Sequence, residues 1–551
     1  MRQRSWLLFG LPLLGCQPVT EGVPIADDTG TSSEEVGCIE GQLDCACTPE
    51  GSCDAGLVCD GALCISEGEE SSSSGEDTGT DTESDSEDTG SCSGEGCPCE
   101  AGASSCDPGL SCVNGECVDS CGNGALDNGE QCDDGNEAEG DGCDNDCSYT
   151  EVLAISLGYQ STCAVIEGGR LRCWGDNAYG QLGYGNTADI GDTETPASID
   201  DVILPAPIEF VDLGSLHACG GFADGEVYCW GQNFHGQLGY GNAGLDTHIG
   251  DDELIGEPGP VSVGEDTLSM SLGEHFGCAR LDNAKLRCWG QNLYGQLGQG
   301  NLLNIGDDEL PSDSELPFIG ADVSAVSAGR YHVCVITTDS QARCWGRGNS
   351  GQLGYGDNAT IGDNEAPSSA GDVSLYPNGV EGVLAQLSLG EEFSCARFSS
   401  GEVLCWGKAN EGQVGQGNKE DYGNQDGELP SALSPISLGG SATAIAAGGR
   451  HVCALLDSGL IRCWGANDYG QLGLGNDEDI GDDELPSEAP TVDVGGSAIM
   501  IAAGQDHTCA VLETFEVVCW GRNPDGRLGY GHTETIGDDE SPVVAGTIDL
   551  L

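Results

Sequence analysis

Seven pairs of cysteines stand ten residues apart: Cys163 and Cys173, Cys219 and Cys229, Cys278 and Cys288, Cys334 and Cys344, Cys395 and Cys405, Cys453 and Cys463, Cys509 and Cys519. The chemistry open to such a pair is oxidation to a disulfide. Midway between the members lie three-residue turns such as Glu167-Gly168-Gly169 and Ala223-Asp224-Gly225. Four of the seven turns place Gly third, at Gly169, Gly225, Gly401 and Gly459, where a three-residue hairpin takes a left-handed residue. Partners ten apart then face each other across the hairpin. Opposed positions of the non-hydrogen-bonded kind bring Cα atoms to about 4.5 Å, within the range of a disulfide. Seven staples, each inside one hairpin and worth ~2–3 kcal/mol, are expected.

Carboxylates offer the second chemistry. Asp133, Asp134, Asp141, Asp144 and Asp146 crowd around Cys132, Cys143 and Cys147. Closely spaced oxygen ligands suit Ca²⁺, although the spacing is not that of an EF-hand loop. A solvated acidic surface is the competing reading. The loop Ile-Gly-Asp-Asp-Glu recurs at Ile249, Ile305, Ile480 and Ile536, with variants at Ile190, Ile361 and Tyr422. Seven such loops on one side would form an acidic rim for calcium or a basic partner, unless they are solvated connectors anchored by the Ile. His217, His332, His451 and His507 each precede a first cysteine by two residues, but Ser161, Phe276 and Phe393 fill that place elsewhere. A repeated structural hydrogen bond fits this better than a ring of metal ligands. There is no G-x-S-x-G elbow and no H-E-x-x-H pair, so an enzyme is not expected. No cofactor is expected either, with calcium the one candidate ion.

The balance of 94 acidic against 17 basic residues, a formal net charge of -77, disfavours nucleic acid and anionic lipid as partners. A total of 31 cysteines implies an oxidising compartment.

The elements that must position these residues form a repeat. Cys-Trp-Gly recurs at Trp174, Trp230, Trp289, Trp345, Trp406, Trp464 and Trp520, and the segment from Ile445 to Pro486 shows the surrounding pattern most clearly. Three short β-like runs, the IAAG, HVCALL and LIRCWG types, are followed by a fourth apolar run after a Pro, such as Thr491 to Gly495. Four strands repeated seven times read as an all-β, seven-bladed β-propeller. No fourth run precedes the first unit, where Cys147 and Ser148 stand, and a spare one follows the last. The C-terminal strand, from Ser541 to Leu551, is therefore expected to complete the first blade. Each Trp should pack between blades, and Asn-x-x-Gly-Gln-Leu-Gly, as in Asn292 to Gly298, is turn chemistry with a buried Leu. The loops that differ most between repeats, Gly244 to His248, Asn301 to Asn304 and Lys419 to Gln425, are where binding is expected.

The pattern G-x-x-H-x-C-A-L…C-W-G-x-N-x-x-G-Q-L-G resembles the regulator of chromosome condensation repeat over Glu151 to Leu551. That resemblance implies a seven-bladed propeller and varied protein-binding roles, among them nucleotide exchange on a small GTPase, light sensing and β-lactamase inhibition. The paired cysteines depart from the usual repeat, and the basic tail that goes with chromatin binding is absent.

At the other end, Arg2 and Arg4 precede an apolar run from Trp6 to Leu14, too short to span a bilayer. Leu13-Leu14-Gly15-Cys16 resembles the lipobox of bacterial lipoproteins, which implies acylation of Cys16, a membrane contact through the lipid anchor alone, and an even 30 cysteines remaining. Between Gln17 and Thr150 there are 34 acidic residues and no Lys or Arg, with stretches too polar to pack. The organisation expected is a signal peptide at 1–15, an acidic linker at 16–37, and a cysteine-rich module at 38–64. A second acidic Ser/Thr-rich linker at 65–91, modules at 92–117 and 118–150, and the propeller at 151–551 follow. The third module resembles a cysteine-rich repeat of myxobacterial-type secreted proteins. The function expected is a monomeric, surface-exposed outer-membrane lipoprotein of the cell envelope, whose propeller is a scaffold binding a protein or glycan. An inhibitor or accessory factor of a secreted enzyme is the alternative, and a hydrolase the third.

Overall fold

The structure, a computed structural model, describes residues 131–133, 135, 142–144, 147–377, 380–425 and 427–551, together with the backbone of two hairpins. One hairpin pairs Leu57–Asp60 with Leu63–Ser66 and lies in a unit of residues 10–91. The other pairs Leu110–Val113 with Glu116–Asp119, in the unit that also holds the repeats. Cys16, both linkers, Asp134, Asp141, Asp146 and the remainder of the cysteine-rich modules lie outside the described residues.

From Val152 onward the chain folds into seven three-stranded antiparallel sheets in a propeller-like arrangement. The first sheet runs Val152–Leu157, Ser161–Ile166 and Arg170–Gly175; the seventh runs Ala498–Ala503, His507–Leu512 and Val517–Gly521. Middle strands such as His451–Leu456 are continuous apolar runs and are wholly buried, as strands covered on both faces must be. First strands such as Ala442–Ala447 are only partly buried, and each has a register shift after its first residue. Each Trp of the third strands is fully buried. Six of the seven donate Nε1 to a carbonyl of the preceding repeat, as Trp230 does to Gln181 at 2.9 Å and Trp520 to Gln471 at 2.9 Å.

The turns between second and third strands explain the hairpin register. Gly225, Gly401 and Gly459 hold φ of 84°, 93° and 76°, and the equivalent Ala284, Ser340 and Phe515 are also left-handed, near 60°.

The fourth run of each repeat is not a full strand. In six of the seven repeats it makes one backbone bond to the third strand of its own sheet: Val202 N–H to Leu171 O, Val261 to Val227, Val373 to Ala342, Ile436 to Val403, Val492 to Ile461 and Ile548 to Val517. In the third repeat Pro317 stands at that place and has no N–H to give. Pro260, Pro435 and Pro490 sit beside these contacts and have no N–H to extend a ladder. This corrects the expected role of the C-terminal strand. The first sheet receives its fourth run from Val202, and the last residues lie along the seventh sheet instead. The chain returns to the strand it has just left, so nothing is missing from the first unit.

The seventh sheet nevertheless touches the first through the bonds that join other neighbours. Gln505 N–H donates to Gly158 O at 3.3 Å and Ala197 N–H to Asp549 O at 3.0 Å, as Ser312 N–H does to Ser262 O at 2.9 Å between other repeats. A Cβ on Gly504 would meet the Gly158 carbonyl oxygen at 2.5 Å, as one on Gly158 would meet that of Gly214 at 2.6 Å. Only glycine permits so close an approach between sheets.

Candidate functional site

The seven cysteine pairs face each other in register on second and third strands, and each forms a disulfide with Cα atoms 4.1 Å apart. They are buried and serve the frame. So do the histidines. His332 lies 2.9 Å from Ser394 Oγ, His451 2.8 Å from Thr508 Oγ1, and His507 3.0 Å from Thr162 Oγ1, in each case through Nε2 and across to the next sheet. Each of these hydroxyls donates its own hydrogen to a carbonyl, so the imidazole Nε2–H is the donor. Burial, with Arg347 adding to it, pushes His332 down to about 3; burial and then Arg450 do the same to His451. His217 faces Gly277 in the same register and has no hydroxyl to meet.

Of the acidic residues around the third module's cysteines, Asp133 accepts from Gly135 N–H at 2.8 Å and Asp144 from Thr150 Oγ1 at 2.9 Å. Cys132 is bonded to Cys143. The Asp-Asp-Glu loops form triplets at Asp251 to Glu253, Asp307 to Glu309, Asp482 to Glu484 and Asp538 to Glu540, each with carboxylate oxygens within 4.8 Å. Their donor chemistry suits a divalent cation. Burial, then the neighbouring carboxylates, pushes Glu309 and Glu540 up to about 7.

All these loops share one face. Ile249, Ile305 and Ile480 pair with Gly231, Gly290 and Gly465, which end the third strands beside the turns joining first and second strands. The loops at Gly244 to His248 and Asn301 to Asn304 lie here, with Leu245 78% and Leu303 73% exposed. Lys419 reaches Asp482 of the next repeat at 2.7 Å.

The residues that the expected sites missed stand in the middle of this face. After the constant Gly that follows each first strand come two residues that change from repeat to repeat, with only Glu recurring, at the first of them. The first of them are Tyr159, Ser215, Glu274, Arg330, Glu391, Gly449 and Gln505, and all seven line one central cavity of about 230 Å³. Arg330 forks onto Glu274 at 2.9 and 3.1 Å and reaches Glu391 at 3.4 Å. Tyr159 and Gln505 donate to the same Glu391 oxygen at 3.1 and 3.3 Å. Burial would raise Glu274, but hydrogen bonds from Arg330, then Tyr331, outweigh it and hold the group below its ordinary value. Glu391 is pushed up, by burial first, against the opposing charge of Arg330. The Tyr159 phenol is also raised, by burial and then by Glu391.

The second of the two residues pairs with the Asn-x-x-Gly loop of the preceding repeat. His235 and His275 have ring centroids 5.2 Å apart and Tyr294 and Tyr331 5.1 Å, Arg450 lies 3.6 Å from Glu411, and Gln160 donates to Asp525 at 3.4 Å. Arg347 and Lys408 both meet Glu392, at 2.9 and 2.7 Å. The signal was present in the repeats: two positions after an invariant Gly whose residues change along the chain, with only Glu recurring, at Glu274 and Glu391.

Fold and face together define a propeller-like repeat protein with a constant frame and one variable face. Segments 152–181, 208–237, 268–296, 323–352, 385–413, 442–471 and 501–527 each match the regulator of chromosome condensation (RCC1) repeat, and the longer form of that repeat matches 224–279, 286–336, 400–455 and 458–511. The chain's seven repeats belong to this family.

Among curated relatives, the ultraviolet-B receptor UVR8 of Arabidopsis thaliana is 29% identical over 70% of this chain and 80% of its own length. The E3 ubiquitin-protein ligase HERC2 of Homo sapiens is 28% identical over 70% of this chain, which spans only 7% of that ligase. Among solved structures, human WBSCR16 superposes with a TM-score of 0.51 at 18% identity, covering 66% of this chain and 86% of its own. Yeast RCC1 (Prp20) bound to Kap60 does so with a TM-score of 0.50 at 18% identity, covering 76% and 90%.

These findings correct the expected origin and location. The relatives compared are proteins of plant, mammal and yeast rather than bacterial lipoproteins. The matches fall within 152–527, so the shared residues are those of the repeats, whereas the outer-membrane reading rested on a short N-terminal stretch. Among the described residues no helix is long and apolar enough to cross a membrane.

Proposed function

We propose that the chain is a scaffold that binds a protein partner on the face formed by the Gly-x-x turns and the loops following the third strands. One observation carries this reading: the positions that vary from repeat to repeat converge on that face, while the cysteines, tryptophans and glycines of the frame recur. Seven units need a common frame only to be stable, and differences between units are what a partner can read.

The face has two halves. Over the second to fourth sheets it is aromatic and apolar, with Tyr294, Tyr331, His235 and His275 beside exposed Leu293, Leu302 and Leu303. Over the fifth to seventh it is charged, with Glu392, Lys408, Glu411, Arg450, Asp506 and Arg522 in ion pairs. Carboxylate triplets rim both halves. A partner with an apolar anchor flanked by basic side chains complements it. The bonds between the seventh and first sheets support closure into a seven-bladed ring, which would hold the face rigid. The yeast relative, bound to the protein Kap60 in its structure, supports a protein partner over a glycan.

Binding without catalysis, by a monomer, is part of the proposal. Calcium on the triplets would then compete with a basic partner. The test is capture of the partner on immobilised full chain. Tyr331→Ala with Leu303→Ala should abolish capture, Glu513→Ala with Asp457→Ala on the opposite hairpins should preserve it, and the reverse pattern refutes the assignment.

A further inference from the structure

We propose that the central cavity is a binding site for an organic cation, an ammonium or guanidinium group on a short chain. The cavity opens in the middle of the proposed binding face, but it has its own chemistry and can be filled without a partner protein. Three carboxylates line it, those of Asp212, Glu274 and Glu391, against one cation, Arg330. Arg330 is committed to Glu274 by two hydrogen bonds and to Glu391 by a third. One guanidinium therefore stands against three carboxylates and Asp212 has no cationic partner, in a site where charges are only partly screened.

Two further features point into the cavity. Asp212 stands where the other repeats place Ser156, Ser271, Ser327, Ser388, Ala446 and Ala502. It takes Leu272 N–H at 2.7 Å and Ser156 Oγ at 3.2 Å, and burial still pushes it up to about 7. An unbalanced carboxylate is costly there without a cation. Ser215, only 6% exposed, lines the same wall and has no hydrogen-bond partner for its hydroxyl. All three hydrogen bonds to Glu391 fall on Oε1, so its Oε2 is free to accept from a ligand N–H.

An organic cation fits better than a metal ion. The carboxylates here are spread around the axis and bridged by a guanidinium, and among the described residues the compact carboxylate triplets all lie elsewhere. A volume of about 230 Å³ leaves room for a short alkyl chain behind the charged end.

The experiment is calorimetric titration of the full chain with n-butylamine, with butanol as the uncharged counterpart and acetyl-Gly-Lys-Gly-amide as a side-chain mimic. Saturable binding of butylamine, at least tenfold tighter than butanol, is expected. Tighter binding of butylamine assigns a free amine as ligand; tighter binding of the peptide assigns a partner's lysine. Glu391→Gln, which keeps an oxygen for Tyr159 and Gln505, should weaken either by fivefold or more, and Glu513→Gln on a remote hairpin should not. Binding near pH 7 should also release a proton, lost in Asp212→Asn. Equal binding of butylamine and butanol, or the same loss in Glu513→Gln as in Glu391→Gln, overturns the proposal.

Discussion

Replacing Ser394 by Val removes the hydroxyl that receives His332 Nε2–H at 2.9 Å. The imidazole is fully buried, so its donor would be stranded, at a cost of about 1–3 kcal/mol. By the same register Phe393 faces Val452 and Phe276 faces Val333, an apolar version of the contact already present between other sheets. The double variant His332→Phe with Ser394→Val should therefore recover most of the loss, within the ~1–3 kcal/mol that added volume can cost. Urea unfolding of the four proteins of this cycle gives the coupling directly.

The pH dependence sharpens the test. His332 is held at about 3 against roughly 6.5 unfolded, so the folded protein binds fewer protons and stability falls as pH drops below 6.5. At pH 5.0 this one group costs about 2 kcal/mol relative to pH 7.5. The double variant should lack that component, its stability falling by ~2 kcal/mol less than that of the unaltered chain over the same interval. A neutral Ser394→Val, or equal acid sensitivity in both proteins, refutes the pairing.

Three other outcomes are expected. Cys453→Ala with Cys463→Ala, which opens one staple, should lower unfolding stability by about 2–3 kcal/mol, and non-reducing peptide maps of the unaltered chain should link each cysteine of a repeat to its partner in the same repeat. Ser340→Gly should raise stability by up to about 1 kcal/mol in thermal melts, because Ser340 holds φ of 61° and glycine adopts it without strain. Deleting 547–551 exposes the pocket filled by Ile548 and Leu550, 6% and 4% exposed, and removes the Leu550 carbonyl that Arg172 binds. Denaturation should then show a loss of about 3–6 kcal/mol, or 1.5–3 for each side chain.

What could be read from the chain was whatever repeats. Ten-residue Cys spacing with a Gly third in the turn led to the hairpin register, since local geometry allows one pairing. His332 and His451 were legible as structural because Phe393 could replace them. The fourth strand was not, because an apolar run such as that at Val261 looks like a strand whether or not Pro260 leaves it one ladder bond. Its misreading then sent the C-terminus to the wrong sheet. Glu274, Arg330 and Glu391 were invisible as a group, being 56 and 61 residues apart and joined only where the turns line one cavity. A titratable residue beside a constant Gly carries no signal until the repeats are superposed.

The account is tested most directly by placing a photo-crosslinking amino acid at Tyr331, at Leu303 and, on the opposite hairpins, at Asp457 and Glu513, one position per protein, in the full chain within its own cells. Adducts of one partner from Tyr331 and Leu303, and none from Asp457 or Glu513, is the result predicted. Adducts from the hairpin positions alone would contradict it.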